Sequence, residues 1–162
     1  VDAPEDILNW RQVDDRLSLS GQPTKAQCSG LAASGVAFVI NLAPQENKGA
    51  LKDEGDVFAE LGVGYRYIPV DFENPTEDDY AAFCAAMDEA QGLRTHIHCI
   101  YNARVTAFML RYAQDGLGGD VKDALGRMDG IWRPGGAWAQ FIGDTSRIDK
   151  HNEYAGYEYA AS

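Results

Sequence analysis

The spacing of apolar and polar positions changes several times along the chain, and each change marks an element. "RLSLSGQP" (16–23) alternates in steps of two, the period of a half-buried strand, and stops at glycine and proline. "TKAQCSGLAASG" follows with Thr24 and Gln27 in capping-box positions and Gly35 at its end, which predicts a helix over 24–34. "VAFVINL" (36–42) is continuously apolar, as in a strand covered on both faces. "GALKDEGDVFAELGVG" (49–64) reads as a second helix and "YRYIPV" (65–70) as another strand. After "DFENP", Thr76 is placed to cap a third helix with Tyr80, Phe83, Cys84 and Met87 at helical spacing, ending near Gly92, and "THIHC" (95–99) is the next strand.

From Val105 onward the period is helical: "VTAFMLRYAQDG", then "DVKDALGRMDG" with Asp120 as its cap, then "GAWAQFIGD" after the "WRPGG" break. Residues 1–15 set Ile7, Leu8 and Trp10 among charges and read as an arm packed on the domain, while 149–162 is a polar and aromatic tail without period. Strands separated by helices of ten or more residues call for crossover connections between parallel neighbours. The expectation is one α/β domain over 1–162, with a mainly parallel central sheet and helices on both faces.

Composition narrows the partners. The 162 residues carry a net charge of -11, from 25 acidic and 14 basic side chains, which disfavours nucleic acid and anionic membrane surfaces. No apolar run approaches the roughly 18 residues of a membrane span. The expected partner is a small or phosphorylated substrate, drawn to positive potential confined to one pocket. The three cysteines, Cys28, Cys84 and Cys99, are too widely spaced for a metal-ligand pair and leave at least one thiol over.

The chemistry gathers at "HIHCIYNARVT" (96–106), between the last strand and the helix after it. Ligands in parallel α/β sheets collect beyond the carboxyl ends of the strands, where Cys99 stands. Backbone N–H groups of Ile100, Tyr101, Asn102, Ala103 and Val105, with the helix amino terminus, can form a nest for phosphate or sulfate. Arg104 adds a planar pair of donors for the oxygens. A free thiol titrates near ~8.5, and holding it ionised near pH 5 takes about 5 kcal/mol. Two N–H donors at roughly 1.5–3 kcal/mol each and a helix terminus at up to ~2 supply that. The competing reading is a buried structural cysteine, a common fate for this residue.

These residues, with "YRYIPVDFENPTEDDYAAF" before them and "WRPGGAWAQFI" after, resemble the cysteine-dependent protein tyrosine and dual-specificity phosphatase superfamily. The closer likeness is to its bacterial β-lactamase-hydrolase-like phosphatase-domain group. The resemblance implies a dual-specificity-phosphatase-like fold and phosphomonoester hydrolysis through a thiophosphate on Cys99. It also implies phosphoryl binding by Arg104, a proton from Asp71 to the leaving group, His98 organising the loop, and no metal or other cofactor. The resemblance gives Thr106 the role of the loop hydroxyl, whereas a threonine in a helix's first turn often bonds only backbone. The usual motif has five residues between cysteine and arginine, and this chain has four, with Asn102 at the usual glycine position and Thr106 at the usual hydroxyl position. The tighter spacing equally resembles rhodanese-type sulfurtransferases, in which Cys99 would carry a persulfide; a silent anion-binding module is the third reading. Asp71 is as well suited to opening the turn "DFENP" as to donating a proton, and Glu73 is a second candidate acid. Trp132 and Trp138 either wall a pocket or fill the space between terminal helices. The start at Val1 and the leaders of the related group favour export over a cytoplasmic location. Substrate and oligomeric state are not encoded in these motifs.

Overall fold

The computed structural model describes residues 2–143; the tail over 149–162 lies outside the described residues. A central sheet is built from β1 (Arg11–Gln12), β2 (Leu17–Ser20), β3 (Phe38–Asn41), β4 (Gly64–Tyr67) and β5 (Thr95–His98), in the order β1-β2-β5-β3-β4. The pairs β2–β5, β5–β3 and β3–β4 are parallel, and the short β1 adds an antiparallel edge. β5 is therefore flanked by both β2 and β3. This is the mainly parallel α/β fold expected, with β1 arising inside the predicted arm.

Helices cover both faces. α1 (Lys25–Ala33) and α2 (Glu54–Glu60) enclose a smaller core of Ile7, Cys28, Leu31, Val39, Val57 and Phe58. α3 (Glu77–Glu89), α4 (Ala103–Gln114), α5 (Val121–Gly126) and α6 (Gly136–Ile142) enclose the larger one. Strand alternation divides the residues between them: Leu19, Ile40 and Ile97 enter the larger core, and Val39 the smaller. Ser18, Ser20, His96 and His98 are polar and yet buried.

Local chemistry sets the helix starts. Thr24 and Thr76 each close a full capping box, with Gln27 and Asp79, and Asp120 accepts from the Lys122 N–H. α2 is shorter than the 49–64 predicted. Gly49 takes a positive φ of 90° and the side chain of Asp53 makes no capping bond, so the helix starts only at Glu54. Trp132 and Trp138 are buried with Phe72, Phe108 and Phe141 around them, which is the gap-filling role.

Candidate active site

The loop after β5 begins at Cys99, and α4 starts two residues earlier than the pattern from Val105 indicated. Asn102 takes a left-handed conformation (φ 73°, ψ 11°), which completes the turn in one residue. Ala103, Arg104, Val105 and Thr106 therefore form the first turn of α4 rather than an extended loop. α1, α3 and α5 begin with a side-chain cap, whereas Asn102 gives α4 none. The Asn102 amide instead reaches out to the Asn9 carbonyl at 2.8 Å.

Three successive carbonyls of the loop are held from outside it. The Cys99 carbonyl lies 3.0 Å from His98 Nδ1, the Ile100 carbonyl accepts from the Gln22 N–H at 3.0 Å, and the Tyr101 carbonyl accepts from Asn9 Nδ2 at 2.9 Å. Among the described residues no peptide is cis. In a planar trans peptide the N–H points opposite to the C=O, so the N–H groups of Ile100, Tyr101 and Asn102 face away from these tethers. Gly21 is required for the fit, since a Cβ there would stand 2.4 Å from the Ile100 carbonyl oxygen.

Cys99 and Arg104 are both fully buried, and Cys99 belongs to the larger core. Arg104 Nη1 donates to the Val70 carbonyl at 2.9 Å, and its guanidinium carbon lies 5.8 Å from the Phe72 ring. The arginine is thus bound to the segment that carries Asp71. Asp71 is exposed, and its Oδ1 accepts from the Glu73 N–H at 2.9 Å while its carbonyl accepts from the Asn74 N–H at 3.0 Å. The turn-opening role is present, and Trp138 Nε1 fixes the segment further by donating to the Phe72 carbonyl at 2.7 Å. Thr106 Oγ1 lies 2.8 Å from the Asn102 carbonyl and 3.0 Å from that of Ala103, and accepts from Trp132 Nε1 at 3.2 Å. It closes the helix start on itself.

Behind the loop lies a polar cluster that the sequence did not announce. His98 Nε2 is 2.6 Å from Oε2 of Glu54, and both side chains are buried. Gln22 Nε2 donates to Glu54 Oε1 at 2.7 Å, and Tyr65, itself accepting from Asn41 at 3.0 Å, also bonds the carboxylate. Burial alone would raise the Glu54 pKa, but the charge and hydrogen bond of His98, with the bonds of Gln22 and Tyr65, outweigh it and hold the carboxyl below its ordinary range. Glu54, Gln22 and Asn9 lie far from Cys99 in sequence, and one charged residue in an amphipathic helix carries no mark of burial. Gln22 had the one available signal, its place just beyond the end of a strand.

Two cavities of about 400 and 490 Å³ lie elsewhere, lined by residues such as Leu17 and Thr95 or Ser18 and Arg94, and neither includes Cys99.

No family model matches the chain. It is 32% identical over 109 residues to a β-lactamase hydrolase-like protein of Agrobacterium fabrum, covering 65% of this chain and 25% of that protein. With the protein of the same description from Xylella fastidiosa it shares 30% over 126 residues, covering 74% and 28%. The chain spans about a quarter of the length of these curated relatives. Among solved structures, a candidate phosphatase (DUF442) from Shewanella putrefaciens CN-32 is 34% identical with a TM-score of 0.77, covering 88% of this chain and 93% of that one. A candidate phosphatase from Neisseria meningitidis (18%, TM-score 0.62, 85% and 99%) and TpbA of P. aeruginosa, solved with pTyr (17%, TM-score 0.60, 80% and 75%), share the fold.

Proposed function

We propose that the chain, which belongs to the DUF442 family of its 34% identical Shewanella putrefaciens relative, hydrolyses phosphomonoesters through Cys99, in the manner of the protein tyrosine and dual-specificity phosphatases whose fold it shares. The thiolate attacks phosphorus while the bond to the leaving oxygen breaks, and Asp71 gives that oxygen its proton. Water then attacks the thiophosphate, the S–P bond breaks, and Asp71 takes the proton back. Arg104 and the amides of the loop and of the first turn of α4 hold the equatorial oxygens.

The observation that carries this reading is the outward tethering of three consecutive carbonyls, which turns the intervening amides the other way. A loop built only to join a strand to a helix has no need of three such tethers. Arg104 fits the role because it links the loop to the segment bearing Asp71. Since Cys99 and Arg104 are closed to solvent, substrate access requires part of their cover to lift.

Hydrolysis of an aryl phosphate tests the reading: turnover is expected to vanish in Cys99→Ser and to fall about 10²-fold or more in Asp71→Asn. Unchanged turnover in both variants would defeat it. Cyanide-dependent thiocyanate release from thiosulfate without phosphatase activity would favour the sulfurtransferase reading. Phosphate protection against heat with neither activity would leave an anion-binding module.

A further inference from the structure

Two histidines stand two residues apart on β5, on the same face of the strand, and their partners dictate opposite protonation states. Ser20 Oγ donates to the Gly21 carbonyl at 2.7 Å, so toward His96 Nε2, also at 2.7 Å, it must accept. A hydrogen of His96 is then on Nε2, and since burial disfavours a second one, Nδ1 accepts from Ser18 Oγ at 2.7 Å. His96 is neutral. His98 has an acceptor on each side, the Cys99 carbonyl at Nδ1 and the Glu54 carboxylate at Nε2. Glu54 also takes bonds from Gln22 and Tyr65, the pattern of an ionised carboxylate. Both ring nitrogens of His98 therefore face acceptors.

We propose that Glu54 is a positioning residue that keeps His98 as an imidazolium against the Cys99 carbonyl, placing a fixed positive charge at the base of the loop. Through Gln22, whose side chain meets Glu54 and whose backbone N–H meets the Ile100 carbonyl, the same carboxylate also braces the next peptide. In a chain of net charge -11, the pair is neutral overall and it is its positive member that faces the loop. The remaining groups around the pair do not compete for it. His96, with its ring centroid 6.4 Å from that of His98, is uncharged, and burial followed by the charge of Glu54 pushes the Tyr65 hydroxyl up. Burial, then Glu54 and Asp53, push the Cys28 thiol up to about 12, and Asp53 has Lys25 at 3.6 Å. The effect on Cys99 chemistry rests on the phosphatase reading, whereas the protonation state of His98 does not.

Nitrogen-15 spectra of histidine-labelled protein at pH 7.5 test the state directly. The expected pattern is two protonated ring nitrogens for His98 and one, Nε2, for His96; a single protonated nitrogen on His98 would overturn the proposal. Glu54→Gln preserves shape but removes the charge. It is expected to return His98 to a neutral ring protonated at Nδ1 and to slow iodoacetamide alkylation of Cys99 at pH 6.5, followed by mass spectrometry, about tenfold. Alkylation at the wild-type rate in a folded Glu54→Gln protein would reject the charge role. If the variant does not fold, the wild-type spectra still decide. If spectra and alkylation agree with expectation but no aryl phosphate is hydrolysed, the phosphatase reading fails and the Glu54–His98 assignment stands.

Discussion

Replacing Gly21 by alanine adds one methyl group at the point where the turn after β2 meets the loop. The new carbon would stand 2.4 Å from the Ile100 carbonyl oxygen, 3.2 Å from its carbon and 3.1 Å from Leu8 Cδ2. The obstacle is mainly backbone, so no rotamer change relieves it; the carbonyl must retreat by roughly an ångström to reach ordinary contact distance. That movement breaks the 3.0 Å bond from the Gln22 N–H and turns the following amide. Overpacking costs about 1–3 kcal/mol and the lost hydrogen bond about 1 more. For a domain of this size the sum of about 2–4 kcal/mol lowers Tm by roughly 5–15 °C. Calorimetry measures that part, and the aryl phosphate assay with added inorganic phosphate measures the loop. Turnover and phosphate protection should fall further than the stability loss explains, because the displaced carbonyl is one of the three that orient the nest. A Gly21→Ala protein with wild-type Tm and full turnover would refute the account of how the loop is shaped.

Stability should also respond to pH through His96. Burial, and then the charge on His98, hold His96 well below the usual imidazole range. The unfolded chain takes up a proton near pH ~6.5 where His96 in the folded one does not, so the contribution of His96 is intact above that pH and falls on acidification, by at most about 1.4 kcal/mol per unit. Denaturant titrations of the wild type and His96→Gln between pH 7.5 and 5 should show the difference in unfolding free energy between them changing with this slope below pH ~6.5; a difference independent of pH would contradict the assignment. Thr76→Ala removes a capping box at the start of α3 and should cost about 1 kcal/mol in urea unfolding with turnover unchanged, whereas a change below ~0.3 kcal/mol would mean that the cap is replaced by solvent.

Features fixed by neighbours in sequence were legible, and those fixed by distant partners were not. The capping boxes of Thr24 and Thr76 and the cap at Asp120 depend on residues two or three positions away, and each stands as the sequence indicated. The strands of the parallel sheet were found for a similar reason, from the local period of 16–23 and the apolar run of 36–42, although the strand predicted over 65–70 ends at Tyr67. Asn102 was placed at the usual glycine position of the motif, and it adopts a positive φ, but the early start of α4 depends on that conformation and was not indicated by the pattern from Val105. The Glu54–His98 pair spans 44 residues and the Asn9 bonds to the loop span more than 90, so no window on the sequence could pair them. His98 was expected to organise the loop, and it lies 3.0 Å from the Cys99 carbonyl; the carboxylate on its other side comes from α2.

The bond from Asn9 to Tyr101 and its return from Asn102 to Asn9 tie the first turn of the chain to a segment two thirds of the way along it. Contacts of such separation close only after shorter-range structure has brought their partners near, because the entropy of joining distant segments is lost in a single step. The segments of α1, β3 and α2 are thus synthesised before the loop can be fastened at all. Completion of the loop is a closing event, and the Cys99 sulfur is held in its final setting only once both ends of that span have met.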